Sequence, residues 1–330
     1  MSIEILDPEE VQSSLSSGTY KENVVPDLLA WTRAGKRCAL VTLVGVDGNA
    51  PRAEGAQMAI SETGEWSGYI SGGCLEQTIA LEAVETIKSG KPRLLRYGKG
   101  SPYFDIRLPC GSGLDIYVQP FQDLKVLEEM GSLLERRQPF ALRIDLGKGS
   151  ARLEPLAEAA DERTASRRDE ETFVRAYTPA VRCLIIGSSP IGVKLAELAA
   201  CAGFDTDFYA PEPEALPVLL PEVKAYALAP RGPFAVDEWT AAILAFHDHE
   251  QELPVFSELL ESNCFFITAI GSRNAHDARK LALSELGFSD STIGRIQSPA
   301  GLVPGLKTAP MVALSILAQI VAAGREKRLL

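Results

Sequence analysis

Residues 181–210 have the pattern of a strand, a glycine turn, a helix and a second strand, and this pattern constrains the fold more than any other part of the chain. An apolar run at 181–186 leads into Gly187-Ser-Ser-Pro-Ile-Gly192, and a helical segment follows until Gly203. Residues 207–210 supply the second strand. Strands joined through a helix pair in parallel, because the crossover is too long for a hairpin. The pattern therefore predicts a Rossmann-like parallel sheet.

The glycine turn of this unit departs from the dinucleotide-binding pattern G-x-G-x-x-G, because Ser189 stands at the position of the middle glycine. The second strand should end in an acidic residue that binds the adenosine ribose, and Ala210 stands there instead. Gly187 and Gly192 remain candidate cofactor-binding residues. The sequence therefore predicts the Rossmann-like fold and argues against NAD as its ligand.

Two further strands are predicted at 241–245 and 265–270, and polar residues follow each of them. The carboxyl ends of parallel strands are where such folds bind ligands. The His-Asp-His segment at 247–249 is interpreted as a solvated loop rather than a metal site, because the chain has only three histidines. The second strand leads to three candidate phosphate-binding residues, Gly271, Ser272 and Arg273.

A second glycine turn, Ser71-Gly72-Gly73-Cys74-Leu75-Glu76, brings a cysteine to the start of a predicted helix. Gly72 and Gly73 let the backbone approach a ligand without a Cβ clash. The free N–H groups and partial positive charge of a helix start suit an anion such as phosphate, and they stabilise a thiolate. Cys74 is therefore a candidate ligand-facing thiol. The alternative is a small cysteine that packs in the core behind an ordinary Gly-Gly turn.

Two other turns in the N-terminal part carry candidate site residues. Arg52 follows the turn Gly48-Asn-Ala-Pro51 and can bind phosphate through its fork of donors, although an exposed turn arginine fits the pattern equally well. Cys110 and Gly111 lie in a glycine-rich turn ahead of a predicted strand. The two cysteines and the arginine could converge on one pocket.

The composition changes at residues 147–178, where charged residues of both signs are frequent and apolar residues are few. Such a stretch is typical of a linker or an exposed hairpin. A chain of 330 residues is long enough for two domains. We therefore expect an α/β protein, with a mixed α/β domain at 1–146, a linker at 147–178 and a Rossmann-like domain at 179–330.

The charge balance of 33 basic and 44 acidic residues, net −11, argues against nonspecific nucleic-acid binding. The N-terminus lacks the apolar run of a signal peptide, and the apolar stretch at 309–323 is too short to cross a bilayer. None of the six cysteines forms a C-x-x-C pair, so a zinc ribbon is not expected. We therefore expect a soluble cytoplasmic protein with reduced thiols, bound to neither membrane nor nucleic acid.

Taken together, these motifs resemble those of the xanthine dehydrogenase accessory factor family, called XdhC/CoxI, over nearly the full chain. The resemblance is carried by Gly48-Asn-Ala-Pro51-Arg52, Gly55-Ala-Gln-Met58, Ser71-Gly72-Gly73-Cys74-Leu75-Glu76, Cys110-Gly111, Gly187 to Gly192, His247-Asp248, Gly271-Ser272-Arg273, Gly301-Leu302 and the apolar helix at 313–322. Several separated motifs in the right order are far more specific than one glycine loop.

The resemblance implies a cofactor-insertion chaperone rather than an enzyme. Members of this family bind the molybdenum cofactor, as molybdopterin or its dinucleotide form, and deliver it to a xanthine dehydrogenase-like molybdoenzyme. They protect the cofactor while a cysteine desulfurase installs its terminal sulfur. On this resemblance Arg52 and Arg273 would bind phosphate, and Cys74 or Cys110 would offer a thiolate, with Cys74 as the possible contact to molybdenum or sulfur. The apolar last helix makes a homodimer reasonable.

The chain also departs from the family pattern in its C-terminal part. Phe246 replaces the threonine that is common before the His-Asp pair, and Val303 stands where family members commonly have aspartate. A changed ligand or client is therefore an open alternative. Two other function classes remain, a nucleotide-dependent oxidoreductase that uses the Rossmann-like domain and a scaffold or regulatory paralogue without a ligand.

Overall fold

The structure is a computed structural model that describes residues 18–101, 111–156, 167–169, 171–229, 233–246 and 251–330. The chain divides into two compact units, Met1–Thr178 and Pro179–Leu330.

The first unit is built on an antiparallel sheet whose central strand, β1 (Cys38–Asp47), is an apolar and β-branched run buried over its first eight residues. The other strands are β2 (Gln57–Ser61), β3 (Trp66–Gly68), β4 (Arg93–Gly98) and β5 (Gly113–Pro120), in the order β3-β2-β1-β5-β4. Helix α2 (Glu76–Ser89) covers one face through Ile79, Ala80, Ala83 and Ile87, which recur at helical spacing. This face forms one of the two main cores of the unit.

The other face of this sheet packs against α1 (Val25–Arg33), α3 (Leu124–Glu135) and a second antiparallel sheet. The second sheet contains β6 (Phe140–Asp145), β7 (Ala151–Pro155), β8 (Arg167–Arg168) and β9 (Thr172–Tyr177), in the order β7-β6-β9-β8. The shared core contains Leu28, Leu40, Met130, Phe140 and Phe173, which belong to five different elements.

The prediction of a linker at 147–178 is therefore wrong for the part of this stretch that the structure describes. Strands β7 and β9 pair on either side of β6, and Phe173 and Tyr177 are buried in the core. The prediction was based on the frequent charged residues, but a strand with one solvated face also carries charges between its buried residues. Glu154 of β7, for example, accepts hydrogen bonds from Arg143 on the neighbouring strand.

The second unit contains the predicted parallel sheet. Its strands are β10 (Arg182–Gly187), β11 (Asp205–Ala210), β12 (Val223–Ala227), β13 (Thr240–Ala245), β14 (Phe266–Ala269) and β15 (Ile296–Gln297), in the order β12-β11-β10-β13-β14-β15. The helices are α4 (Pro190–Cys201), α5 (Glu252–Glu261), α6 (Arg273–Glu285), α7 (Asp290–Ile293) and α8 (Ala309–Glu326), and Pro213–Ala215 form a 3-10 turn. All five strand pairings are parallel, which confirms the Rossmann-like fold.

Helix α8 is long and apolar enough, by length and composition alone, to cross a membrane. Its Ala313, Ile316 and Ile320 are fully buried, and they share a core with α4 and the parallel sheet. This packing is typical of a core helix in a globular unit, since its apolar face already has a protein partner.

Candidate functional site

The turn at 70–76 is organised around the carboxylate of Glu76, which is 2% exposed. This carboxylate accepts hydrogen bonds of 2.8–3.3 Å from the backbone N–H groups of Ile70, Ser71, Gly72, Gly73 and Leu75. The hydroxyl of Ser71 also donates to it at 2.7 Å. The N–H groups of Gly72 and Gly73, predicted to bind the phosphate of a ligand, are thus occupied by the chain's own carboxylate.

Burial alone would raise the pKa of Glu76, but hydrogen bonds from Ser71 and Ile70 outweigh it and hold the pKa below its usual range. Glu76 is therefore ionised at neutral pH. A buried anion with this many donors holds a loop in one conformation, because any rearrangement leaves a charge unsatisfied.

The rigid turn presents Cys74 to solvent. Ser71 Oγ accepts from the N–H groups of Cys74 and Leu75 at 3.1 and 2.9 Å, while Gly72 and Gly73 take the positive φ values of 97° and 111° that glycine tolerates. Cys74 is an exposed free thiol, so the alternative of a cysteine packed in the core is wrong. The turn therefore displays an exposed thiol rather than burying it.

Arg52 lies beside this turn and is not an ordinary exposed turn residue. Its guanidinium binds the carboxylate of Glu22 bidentately, at 2.8 and 2.5 Å, and donates to the Tyr69 hydroxyl at 2.9 Å. It also lies over the Tyr69 ring, 4.1 Å from the centroid. Pro51 borders the glycine turn, since a side chain at Gly72 would lie 3.7 Å from Pro51 Cγ. The two turns therefore adjoin in space.

The segment that carries Glu22 crosses the same surface. Thr19 pairs with the backbone of Trp66 and Gly68 at 3.2 and 2.9 Å. The Tyr20 ring packs edge-on against Trp66, with ring centroids 5.5 Å apart, and its hydroxyl lies 3.6 Å from where a side chain at Gly73 would begin. Nothing in the local sequence pattern singled out this segment, because its contacts are made through distant strands.

The third predicted turn joins the same region. Ser112, next to Gly111, donates through its hydroxyl to the carbonyl of Asn49 at 2.6 Å. Gly111 has a φ of 70°, which favours glycine. Arg52, Gly72, Gly73, Cys74 and Gly111, predicted from three separate motifs, thus belong to neighbouring turns of the first unit. Cys110 lies outside the described residues, as does the His-Asp-His segment at 247–249.

In the second unit Gly187 and Gly192 are explained by close packing. A side chain at Gly187 would lie 2.4 Å from the backbone of Ala245, and one at Gly192 would lie 3.0 Å from the Ala245 side chain. Ser189 caps helix α4, because its hydroxyl oxygen accepts from the N–H of Gly192 at 3.2 Å. Ser189, which replaces the middle glycine of the dinucleotide pattern, therefore satisfies one of the free N–H groups at the start of α4 from within the chain. At the end of β11 the buried Ala210 provides no acidic side chain.

The predicted residues after β14 lie at the same carboxyl edge of the sheet. Ser272 caps α6 by accepting from the Ala275 N–H at 3.2 Å, and Arg273 is exposed at the first helical position. Gly271 makes room for Arg279, whose guanidinium a side chain there would approach to 2.9 Å. Arg279 in turn binds the buried carboxylate of Glu252 at 2.5 and 3.0 Å. The glycine at position 271 is therefore explained by the buried ion pair of Arg279 and Glu252.

Among the described residues, no group of three or more histidine, cysteine, aspartate or glutamate side chains could hold a metal ion.

Comparison with known proteins agrees with the fold and the motifs. Residues 183–320 match the XdhC Rossmann domain, and residues 31–98 match the XdhC and CoxI family. The molybdenum cofactor insertion chaperone PaoD of Escherichia coli (strain K12) is 36% identical over 87% of this chain and 83% of its own length. A probable xanthine dehydrogenase subunit of Bacillus subtilis (strain 168) is 24% identical over 87% of this chain and 93% of its own length.

A solved structure shows the same fold over almost the whole chain. The crystal structure described as a xanthine dehydrogenase from Bacillus halodurans superposes with a TM-score of 0.72 at 20% identity, covering 92% of this chain and 96% of the other. The resemblance inferred from the motifs is thereby confirmed, and the chain belongs to the XdhC and CoxI family.

Proposed function

We propose that this protein is a molybdenum cofactor insertion chaperone, which binds the cofactor, protects it and delivers it to a xanthine dehydrogenase-like molybdoenzyme. Its family and its Escherichia coli relative support this function. The observation that carries the proposal is the exposed thiol of Cys74 on a turn held rigid by Glu76 and adjoining the Arg52 turn. The protein itself would be a carrier rather than an enzyme.

The residues at this surface fit the chemistry of the cofactor. A thiolate is the type of ligand that soft metal–sulfur centres prefer, and a guanidinium binds phosphate through two parallel hydrogen bonds. In this proposal Arg52 binds the phosphate and Cys74 contacts molybdenum or sulfur. When bound, the cofactor supplies the redox centre that the client enzyme uses. Because Cys74 is exposed rather than enclosed, the same surface can release its cargo to a partner.

The test is co-purification of the cofactor from a host that makes it. We expect the purified protein to release a fluorescent pterin on acid oxidation and to contain molybdenum by elemental analysis. Cys74→Ser should lose the molybdenum, whereas Cys201→Ser, at the other exposed free cysteine of the described residues, should keep it. Arg52→Ala should lower pterin occupancy about tenfold, because it removes a charge-assisted phosphate contact of about 1.5–3 kcal/mol.

Two further variants complete this test. Arg37→Ala, which removes a surface arginine paired with Glu62, serves as the control for Arg52→Ala. Arg273→Ala tests whether the second unit also contacts phosphate.

The bound ligand also distinguishes the alternative functions. Tight NAD(H) binding without pterin would favour the oxidoreductase, and absence of both ligands would favour the scaffold. The loaded protein should activate a cofactor-free xanthine dehydrogenase, and a cysteine desulfurase should co-purify with it from the cytoplasm.

We also propose a homodimer that forms through helix α8. Met311, Leu314 and Val321 are 43–50% exposed and lie on one side of the helix. Leu302 and Val303, in the loop that hydrogen-bonds to Ser315 of α8, are also exposed. Leu314→Glu should convert a dimer to a monomer in light scattering, while Leu281→Glu, at an exposed leucine of α6, should leave it dimeric. A wild-type monomer at micromolar concentration would contradict this proposal.

A further inference from the structure

The first unit contains a cleft of about 500 Å³ that no sequence motif indicated. This volume is in the range of about 300–1,000 Å³ that is typical of pockets for small ligands. Five charged side chains from separate parts of the chain line the cleft: Asp47, Glu54, Arg96, Asp115 and Arg168. The cleft is therefore large enough for one ring system and is bordered by hydrogen-bonding groups of both signs.

Asp115 of β5 holds the two arginines of this cleft in place. Its Oδ1 accepts from Arg96 Nη1 at 3.1 Å, and its Oδ2 accepts from Arg168 Nη1 at 2.9 Å. A side chain at Gly45 would lie only 2.8 Å from Asp115 Oδ2. One at Gly113 would lie 2.2 Å from Arg96 Nη2. Both glycines therefore leave room for the charged groups that line the cleft.

Two of these charged groups keep hydrogen-bonding capacity for a ligand. Arg168 uses only its Nη1 among the described residues, so its other N–H groups are available. Glu54 accepts from the Val46 N–H at 3.0 Å through Oε1, and its Oε2 has no partner in the part of the chain that the structure describes. Asp47 differs, because it forms an ion pair with Lys99 at 3.3 Å. The cleft thus offers a guanidinium donor and a carboxylate acceptor.

The charges of the lining indicate the class of ligand. Because three carboxylates and two guanidinium groups line the cleft, an anion or a cation would each face several like charges. A neutral planar ring with donors along one edge and acceptors along another avoids both penalties. The 2-amino-4-oxopyrimidine ring of pterins and of guanine is such a ring. A carboxylate accepts from its amino and ring N–H groups, and a guanidinium donates to its carbonyl oxygen and the adjacent ring nitrogen.

The cleft adjoins the turns of the candidate site. Asp47 and Glu54 flank the turn that carries Arg52. Pro51 of that turn borders the glycine turn, where a side chain at Gly72 would lie 3.7 Å from it. A ring in the cleft would therefore be bound beside the surface that displays the thiol and the guanidinium of the proposed cofactor site.

We propose that this cleft binds a 2-amino-4-oxopyrimidine ring. Glu54 accepts from the amino and ring N–H groups, and Arg168 donates to the carbonyl oxygen and the adjacent ring nitrogen. Asp115 is a positioning residue, because both of its oxygens hold the arginines. The identity of the ring as a pterin rests on the proposed function, whereas binding of this type of ring does not.

The experiment is fluorescence titration of the purified, cofactor-free full chain with pterin, with lumazine and guanosine as competitors. Lumazine carries an oxygen in place of the 2-amino group, so the wild type should bind it about tenfold more weakly than pterin. Guanosine presents the same pyrimidine edge on a nucleoside. Weaker binding of guanosine than of pterin is the result expected if the cleft takes the pterin of the cofactor.

Matched variants test the two roles. Glu54→Gln keeps an oxygen for the Val46 N–H but removes the carboxylate. It should bind pterin about tenfold more weakly and lose most of the preference over lumazine, because its amide can donate to the oxygen of lumazine. Glu62→Gln is the control, since Glu62 also accepts from a backbone N–H, that of Arg37 at 3.1 Å. Arg168→Gln should weaken pterin binding about tenfold, whereas Arg37→Gln should not.

Equal pterin affinity in Glu54→Gln and Glu62→Gln would overturn the proposal, and so would equal binding of pterin and lumazine by the wild type. The lumazine comparison needs no variant, so it decides even if Arg168→Gln does not fold. Tighter binding of guanosine than of pterin would contradict the assignment to the cofactor. Pterin binding that depends on Glu54, together with failed molybdenum co-purification, would refute the proposed function alone. Successful co-purification with unchanged pterin affinity in Glu54→Gln would refute the role of the cleft alone.

Discussion

Replacement of Glu76 by alanine is expected to lower the free energy of unfolding of the first unit by about 4 kcal/mol. The substitution removes the acceptor of five backbone N–H groups and of the Ser71 hydroxyl, and these hydrogen bonds are buried or part-buried. Each buried donor left without a partner costs about 1–3 kcal/mol, and water entering the turn recovers part of the sum.

Urea denaturation followed by circular dichroism measures this loss, and hydrogen exchange at residues 70–75 shows that it begins in the turn. Glu85→Ala on the same helix is the control, because its exposed pair with Lys88 should be worth less than about 1 kcal/mol. A loss below about 1 kcal/mol for Glu76→Ala would show that the turn does not depend on this carboxylate.

The same carboxylate should make the protein sensitive to acid. Because the pKa of Glu76 is lower in the folded state than its ordinary value of about 4.3, the unfolded chain takes up its proton first. The stabilisation by Glu76 is therefore complete above about pH 5 and is lost as the pH falls through the folded-state pKa. The difference in stability between wild type and Glu76→Gln should shrink over this range, and a constant difference would contradict the assignment.

The second large effect is expected at the buried ion pair of the second unit. Glu252 is fully buried and Arg279 is 4% exposed. Arg279 also donates to the carbonyl of Ile270 at 2.7 Å, just before Gly271. Arg279→Met should lower the free energy of unfolding by about 3–5 kcal/mol, because it leaves a buried carboxylate without its counter-ion.

A double variant separates the charge from the packing. Glu252→Leu combined with Arg279→Met should recover most of the loss, since replacing both members of a buried pair is often close to neutral. Lys194→Met, which breaks the exposed pair with Glu197, should cost less than about 1 kcal/mol. Guanidinium denaturation of the four proteins provides the comparison. A double variant as unstable as Arg279→Met would show that the loss comes from packing and from the bond to Ile270.

The sequence could predict features that depend on local pattern. The strand–turn–helix–strand order at 181–210 leads to a parallel sheet, because a helical crossover allows no other common arrangement. The turn before α2 was predicted from Gly72 and Gly73, whose positive φ values few other residues adopt. The prediction of a linker at 147–178 was wrong for the described part of that stretch, since composition does not distinguish a solvated strand face from an unstructured segment.

The sequence by itself determined which residue types occupy the turns and that Cys74 follows a glycine pair. Only the tertiary structure decided which partners those residues have. Glu76 fills the anion-binding turn that the glycines suggested for a ligand, and Glu22 reaches Arg52 across 30 residues of sequence. These contacts join elements far apart in the chain, so propensity and spacing, which act over one or two helical turns, carry no signal for them.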